Sequence, residues 1–196
     1  LAFMLSTVLS FRMLGLFLIL PVFMVMAKDI PGFTPQIGGF AVGIYGLTQA
    51  LLQQPFGWLS DRWGRRPVLL MGLFLFAMGG VVAALAESML QLIAGRALQG
   101  CGAIAGVALA FAADFTRPEK RSISMAIIGM GIGGAFLLSM MLSVPLAMLM
   151  GLQGLFWLTS ALGLLGMLLI MLTPQTTPLP EDDSKSDAVD MKPVRM

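Results

Sequence analysis

Gly57-Trp58-Leu59-Ser60-Asp61-Arg62-Trp63-Gly64-Arg65-Arg66-Pro67 decides how this chain is read. Three arginines and one aspartate are set here between two long apolar runs. A bilayer-spanning helix needs roughly 20 apolar residues, and each flanking run supplies that many, so the charged stretch is a short connection at a membrane surface. Within it, Gly57 lets neighbouring helices approach closely and Gly64 permits a tight turn. Pro67 suits the first turn of the next helix. Asp61 stands where a helix meets the interface, placed to accept backbone or arginine hydrogen bonds or to face the positive end of another helix. Arg62, Arg65 and Arg66 can pair with carboxylates or with anionic lipid head groups.

Outward from this connection, the composition agrees. Of 196 residues, 58% are hydrophobic and 11% charged, with a mean hydropathy of +0.91. A soluble domain carries about 25% charge, so this chain lacks the polar surface to face water. Apolar runs separated by Pro, Gly and charged breaks predict six spanning helices at about 3–27, 35–59, 67–86, 89–111, 122–150 and 153–172. The fifth carries a possible bend at Pro145. The run from Ala2 has neither a basic leader nor a small-residue cleavage site, and reads as a mature helix rather than a signal peptide. From Thr173 onward the chain turns polar and holds half of its ten acidic residues. Residues 173–196 are therefore expected to be a disordered tail or linker, and residues 1–172 the membrane domain.

Charge placement sets the expected orientation. Arg62, Arg65 and Arg66 lie between the second and third spans, and Arg117, Lys120 and Arg121 between the fourth and fifth. The other connections hold only Lys28. Positive residues favour the cytoplasmic side, which puts both of these loops and both termini there. The net charge of +2 gives no reason to expect a nucleic-acid partner. With no histidine there is no Ser–His dyad, and Asp61 and Asp114 sit at helix ends rather than as an intramembrane pair, so an enzyme is not expected. Nor is a metal or cofactor. Cys101 reads as a small packing residue.

Two charges fall inside apolar runs, where they are costly. Arg12 must belong to the first span, because 13–27 alone is too short to cross; it either snorkels to the surface or lines a cavity. Arg96 faces a water-filled cavity or snorkels, and Gln99, three residues on, shares its helix face. Small residues at Gly39 and Gly43 in the second span, Gly100 and Gly102 in the fourth and Gly131 in the fifth fit close helix contacts.

The connection quoted above resembles the signature of the major facilitator superfamily, Gly-x-Leu-Ala-Asp-Arg-x-Gly-Arg-Arg/Lys. Gly95-Arg96-Ala97-Leu98-Gln99-Gly100-Cys101-Gly102-Ala103 is similar to the family's second motif, Arg-x-x-Gln-Gly-x-Gly-Ala. Together with Phe11-Arg12-Met13-Leu14-Gly15, these stretches look like the YajR-type branch of small-molecule efflux proteins. The resemblance implies an N-terminal bundle of 3+3 inverted repeats, and secondary active, proton-coupled efflux of drug-like or amphiphilic solutes across the bacterial inner membrane by alternating access. It also implies cavity or coupling roles for Arg12, Arg96 and Gln99. Asp114 would pair with a signature arginine, Arg65 before the others, as a conformational latch. Efflux-type members often carry Gly-Pro in the fifth helix, where this chain has Ser143-Val144-Pro145. The family's usual twelve helices imply a C-terminal six-helix half, or a second copy, as partner beside substrate, protons and lipid. The competing reading is a truncated or structural membrane fragment with no transport of its own.

Overall fold

The computed structural model describes residues 2–172, and the expected tail at 173–196 lies outside the described residues. Every regular element among them is helical: α1 (Ala2–Met26), α2 (Pro35–Trp63), α3 (Arg65–Ala84), α4 (Met89–Cys101), α5 (Ala105–Asp114) and α6 (Arg121–Leu172), with short 3-10 turns at Ala27–Asp29 and Pro118–Lys120. Local chemistry sets several boundaries. Thr34 caps α2 by accepting from the Ile37 amide at 3.2 Å, ahead of Pro35, whose fixed φ suits a first turn. Ser88 caps α4 in the same way through Gln91.

Among the described residues, four stretches are long and apolar enough to cross a membrane: Ala2–Asp29, Arg65–Ala84, Met89–Asp114 and Pro118–Leu172. Helix α2 has the length, 29 residues, but Thr48, Gln49, Gln53 and Gln54 keep its apolarity below theirs.

Three boundaries differ from the sequence expectation. The second helix does not stop at 59; it runs to Trp63, and Gly64 alone separates it from α3. Polar side chains at a membrane surface satisfy themselves on a helix as well as on a loop, so Asp61 and Arg62 need not end it. The fourth run is broken at 102–104, where Ala103 and Ile104 donate to the carbonyls of Cys101 and Gly102 in place of the helical ladder. The cause is packing: a Cβ on Gly102 would collide with the Gly72 carbonyl and meet Phe76, so the chain bends where two glycines make helix least favourable. Finally, the break between the last two runs is one residue. Gly151 has φ 69 and ψ −179, a conformation nearly closed to other residues, and it divides α6 into arms 121–150 and 152–172. We expect Gly151→Ala to cost about 1–3 kcal/mol, seen as a lower thermal midpoint in detergent; an unchanged midpoint would show that this turn relaxes freely.

Packing pairs fix the helix directions. Ser6 donates to the Ile127 carbonyl, and Ser139 and Ser143 donate to those of Leu14 and Leu18. Both residue numbers rise together, so α1 and the 121–150 arm run parallel. Gly15 faces Thr159 while Gly166 faces Val8, so α1 and the 152–172 arm are antiparallel. By the same logic α3 opposes α4, since Gly79 meets Gln99 and Gly95 meets Ala83. Helix α2 runs with α4 and α5, since Tyr45 lies by Gly100 and Gln53 by Gly106.

These contacts need glycine. A Cβ on Gly95 would stand 2.6 Å from the Ala83 amide nitrogen and 2.8 Å from its Cα, backbone that cannot swing away. Gly100 is as tight against Thr48 and Tyr45, Gly102 against Gly72, and Gly131 against Ser6 and Ser10. Gly39 and Gly43 are different, with nothing within 4 Å of either; they face open space and support no close contact within this chain. Gly95→Val is expected to destabilise by about 1–3 kcal/mol through overpacking, whereas Gly39→Val should leave the melting profile almost unchanged. Equal losses in both would remove the distinction.

The interior has two apolar layers. One gathers Leu5, Leu9, Leu69, Leu73, Ile104 and Ile170, and the other Ile19, Phe23, Ala83, Leu92, Leu155 and Phe156. Along α1, α4 and the 152–172 arm, the residues between these layers include buried polar groups, Arg12, Arg96 with Gln99, and Thr159 with Ser160.

Candidate functional site

Arg12 and Arg96 both lie in that middle layer, 0% and 1% exposed. Neither snorkels. Arg12, from α1, donates from Nη2 to Gln49 Oε1 of α2 at 3.0 Å, and its guanidinium carbon stands 5.7 Å from the centre of the Phe76 ring. Arg96, from α4, donates from Nη1 to Gln99 Oε1 at 3.2 Å and lies 4.8 Å over Tyr45. Aromatic faces attract cations, more strongly where water is excluded. Gln99 then donates from Nε2 to Thr159 Oγ1 at 3.2 Å, and Thr159 to the Phe156 carbonyl at 2.8 Å. This relay ties α4 to the 152–172 arm.

Hydrogen bonding here is incomplete. Nε and Nη1 of Arg12, Nε and Nη2 of Arg96, and the Tyr45 hydroxyl are buried without a hydrogen-bond partner among the described residues. Buried polar groups are normally paired, and an unpaired one carries its full desolvation cost. A cavity of about 350 Å³ opens beside Arg96, walled by Tyr45, Gln49 and Gln53 and otherwise by apolar or small residues such as Leu16 and Val42. Tyr45, Gln49, Gln53, Thr159 and Phe76 were not singled out from the sequence as site residues. A signal for three of them exists: Tyr45, Gln49 and Gln53 recur every four residues along one face of α2.

A second constellation occupies the α2–α3 connection. Gly64, with φ 92 and ψ 155, turns the chain so that Arg65 opens α3 and reaches back. Its Nε donates to Asp114 Oδ2 at 2.8 Å, and its Nη1 to Ser60 Oγ at 2.6 Å and to Asp61 Oδ1. One guanidinium thus joins the ends of α2 and α5. Arg66 donates from Nη2 to the Met171 carbonyl at 2.8 Å, closing α3 against the end of α6. Arg62 stacks 4.1 Å over Trp58. Gly57 has nothing within 4 Å of its missing side chain, so the close helix approach expected there does not occur within this chain.

A family model for the Major Facilitator Superfamily matches residues 5–195. The chain belongs to the major facilitator superfamily. It is 46% identical over 165 residues to the inner membrane transport protein YajR of Escherichia coli K12, a match covering 84% of this chain and 36% of that protein. Among solved structures, the human organic anion transporter MFSD10 superposes with a TM-score of 0.72 at 23% identity, over 86% of this chain and 46% of the other. A peptide transporter of the POT type superposes at 0.76 and 18% identity, over 96% and 43%. At these identities the structures speak for the fold alone. The chain spans less than half the length of each of these proteins. It is an all-helical, multi-pass membrane protein of a transporter family.

Proposed function

We propose that residues 1–172 form the N-terminal six-helix half of a secondary active transporter that exports drug-like or amphiphilic solutes in exchange for protons. Its spans are α1, α2, α3, α4 with α5, and the two arms of α6. The packing supports a 3+3 inverted repeat. If spans 1, 2 and 3 exchange with 4, 5 and 6, the parallel pair 1–5 becomes 4–2 and the antiparallel pair 3–4 becomes 6–1, and each partner pair is packed in that sense. In such folds the substrate site lies near the midplane and the halves rock around it. The observation that carries the reading is the middle layer: two buried arginines with unused donors, one bordering a cavity. An intramembrane ionisable group is functional by default, because stability alone does not favour it.

In this reading Arg12, Arg96 and Gln99 line the solute and coupling path, and Arg65 with Asp61 and Asp114 forms a latch at the cytoplasmic side, where the positive-inside bias puts it. A further six-helix half completes the path. The native protein should show solute flux in phosphatidylcholine liposomes that saturates, follows an imposed pH gradient and collapses with a protonophore. Leakage equal to that of empty liposomes across a panel of amphiphiles would remove the proposal and leave a structural role for the bundle.

A further inference from the structure

We infer that the cavity beside Arg96 takes the negatively charged end of an amphiphilic organic anion, with Arg96 as its counter-charge and the Tyr45 hydroxyl as an additional donor. This rests on the transporter reading and names the class of solute.

Charge is the first argument. Asp29, Asp61, Glu87, Asp114 and Glu119 are the acidic groups among the described residues, and all lie in the last turn of a helix, in a 3-10 turn or in a connection. Both ion pairs found among them belong to Arg65. Arg12 and Arg96 therefore place two buried positive charges in the middle layer with no carboxylate beside them. Removing a charge from water costs several kcal/mol even after relaxation, and a counter-charge recovers much of it. Aromatic rings and amide oxygens, the partners actually present, carry no net negative charge.

Donor geometry is the second. The free Nε and Nη2 of Arg96 belong to one planar fork, the shape that binds a carboxylate through two oxygens. Both are closed to solvent in this conformation, so an anion in the cavity engages them by turning the Arg96 side chain toward it. The Tyr45 ring lies against that guanidinium and leaves its own buried hydroxyl unpartnered. A bound cation would meet no charged acceptor on this wall. In the same lining, Leu16, Leu20, Val42 and Ala50 offer the apolar surface that an anion's hydrocarbon body would cover. A volume of about 350 Å³ lies in the range of small-ligand pockets.

Three probes of one shape isolate the charge: 1-naphthoate, neutral 1-naphthylmethanol and cationic 1-naphthylmethylammonium. Equilibrium dialysis against the native protein in phosphatidylcholine nanodiscs avoids competition from anionic lipid. Naphthoate should bind saturably and about ten-fold or more tighter than the alcohol, as charge-assisted hydrogen bonds imply, with no saturable binding of the ammonium. Arg96→Gln should bring naphthoate down to the level of the alcohol. Tyr45→Phe should weaken naphthoate several-fold and leave the alcohol unchanged. If Arg96→Gln does not fold, the ranking of the probes on the native protein and the Tyr45→Phe difference decide. Equal or tighter binding of the ammonium or the alcohol overturns the inference, as does no saturable binding of any probe, or naphthoate binding unchanged in both variants. Flux of a cationic solute alone would overturn the anion assignment and keep the transporter. Naphthoate binding without flux of any solute would do the reverse.

Discussion

Arg96→Met is expected to abolish solute flux while leaving the bundle as stable as before or more so. Methionine nearly matches the length of the arginine stem and carries no charge. The substitution gives up a cation–π contact of about 2 kcal/mol and a hydrogen bond of about 1.5–3 kcal/mol, and it leaves the buried Gln99 Oε1 without its Arg96 donor, at about 1–3 kcal/mol. Against that, it releases two buried donors without partners, each costing about 1–3 kcal/mol, and the desolvation of a charge that no carboxylate compensates. Replacing buried ionic groups by apolar ones of similar volume is often neutral, or stabilising by about 1–4 kcal/mol. Thermal melts of the purified variant, read beside flux at equal protein, check both halves of the expectation. A large fall in the midpoint would make Arg96 a structural tie and remove its assigned role.

Breaking the Arg65 junction should likewise change transport far more than stability. Arg65 holds Asp61 and Asp114 at once, yet Asp61 is 62% and Asp114 42% exposed at the side chain. Pairs so open to solvent contribute only about 0–1 kcal/mol each. A latch acts on the balance between conformations rather than on folding. There, about 1–2 kcal/mol changes a two-state ratio some 5–30-fold. Arg65→Gln and the double variant Asp61→Asn with Asp114→Asn should each lower flux about ten-fold with midpoints within a few degrees of the native protein. Arg65→Lys should rescue little, because a single ammonium cannot reproduce the separate Nε and Nη1 donations. Native flux in all three variants would leave these contacts as ordinary surface pairs.

The residues that sequence alone made legible share one property: their chemistry contrasts with their neighbours'. Arg12 and Arg96 stand out as charges in apolar runs, and Gly57 to Pro67 as a charged interruption between two of them. What escaped lacks contrast. The break at 102–104 lies within a small-residue run whose hydropathy is unbroken, because hydropathy does not register which carbonyl an amide chooses. Thr159 is neutral and meets Gln99 across 60 residues of sequence; Gln49 meets Arg12 across 37. Only the folded chain brings them together. Glycines were equally silent about their partners: Gly100 and Gly43 look alike in sequence, but one is wedged against α2 and the other faces a cavity. The contact of Arg65 with Asp114 spans 49 residues, and it is family likeness rather than spacing that points to it.

Alternating access through the middle layer is the claim on which the rest depends, and Gln53, on the cavity wall, reports on it. In a Cys101→Ala background, Gln53→Cys would be treated with a membrane-impermeant maleimide in right-side-out and in inverted vesicles. The account predicts labelling from both faces, protection by bound solute, and a shift in the ratio of the two rates when Asp61 and Asp114 are neutralised. Labelling from one face only, with the same rate in the latch variant, would contradict it.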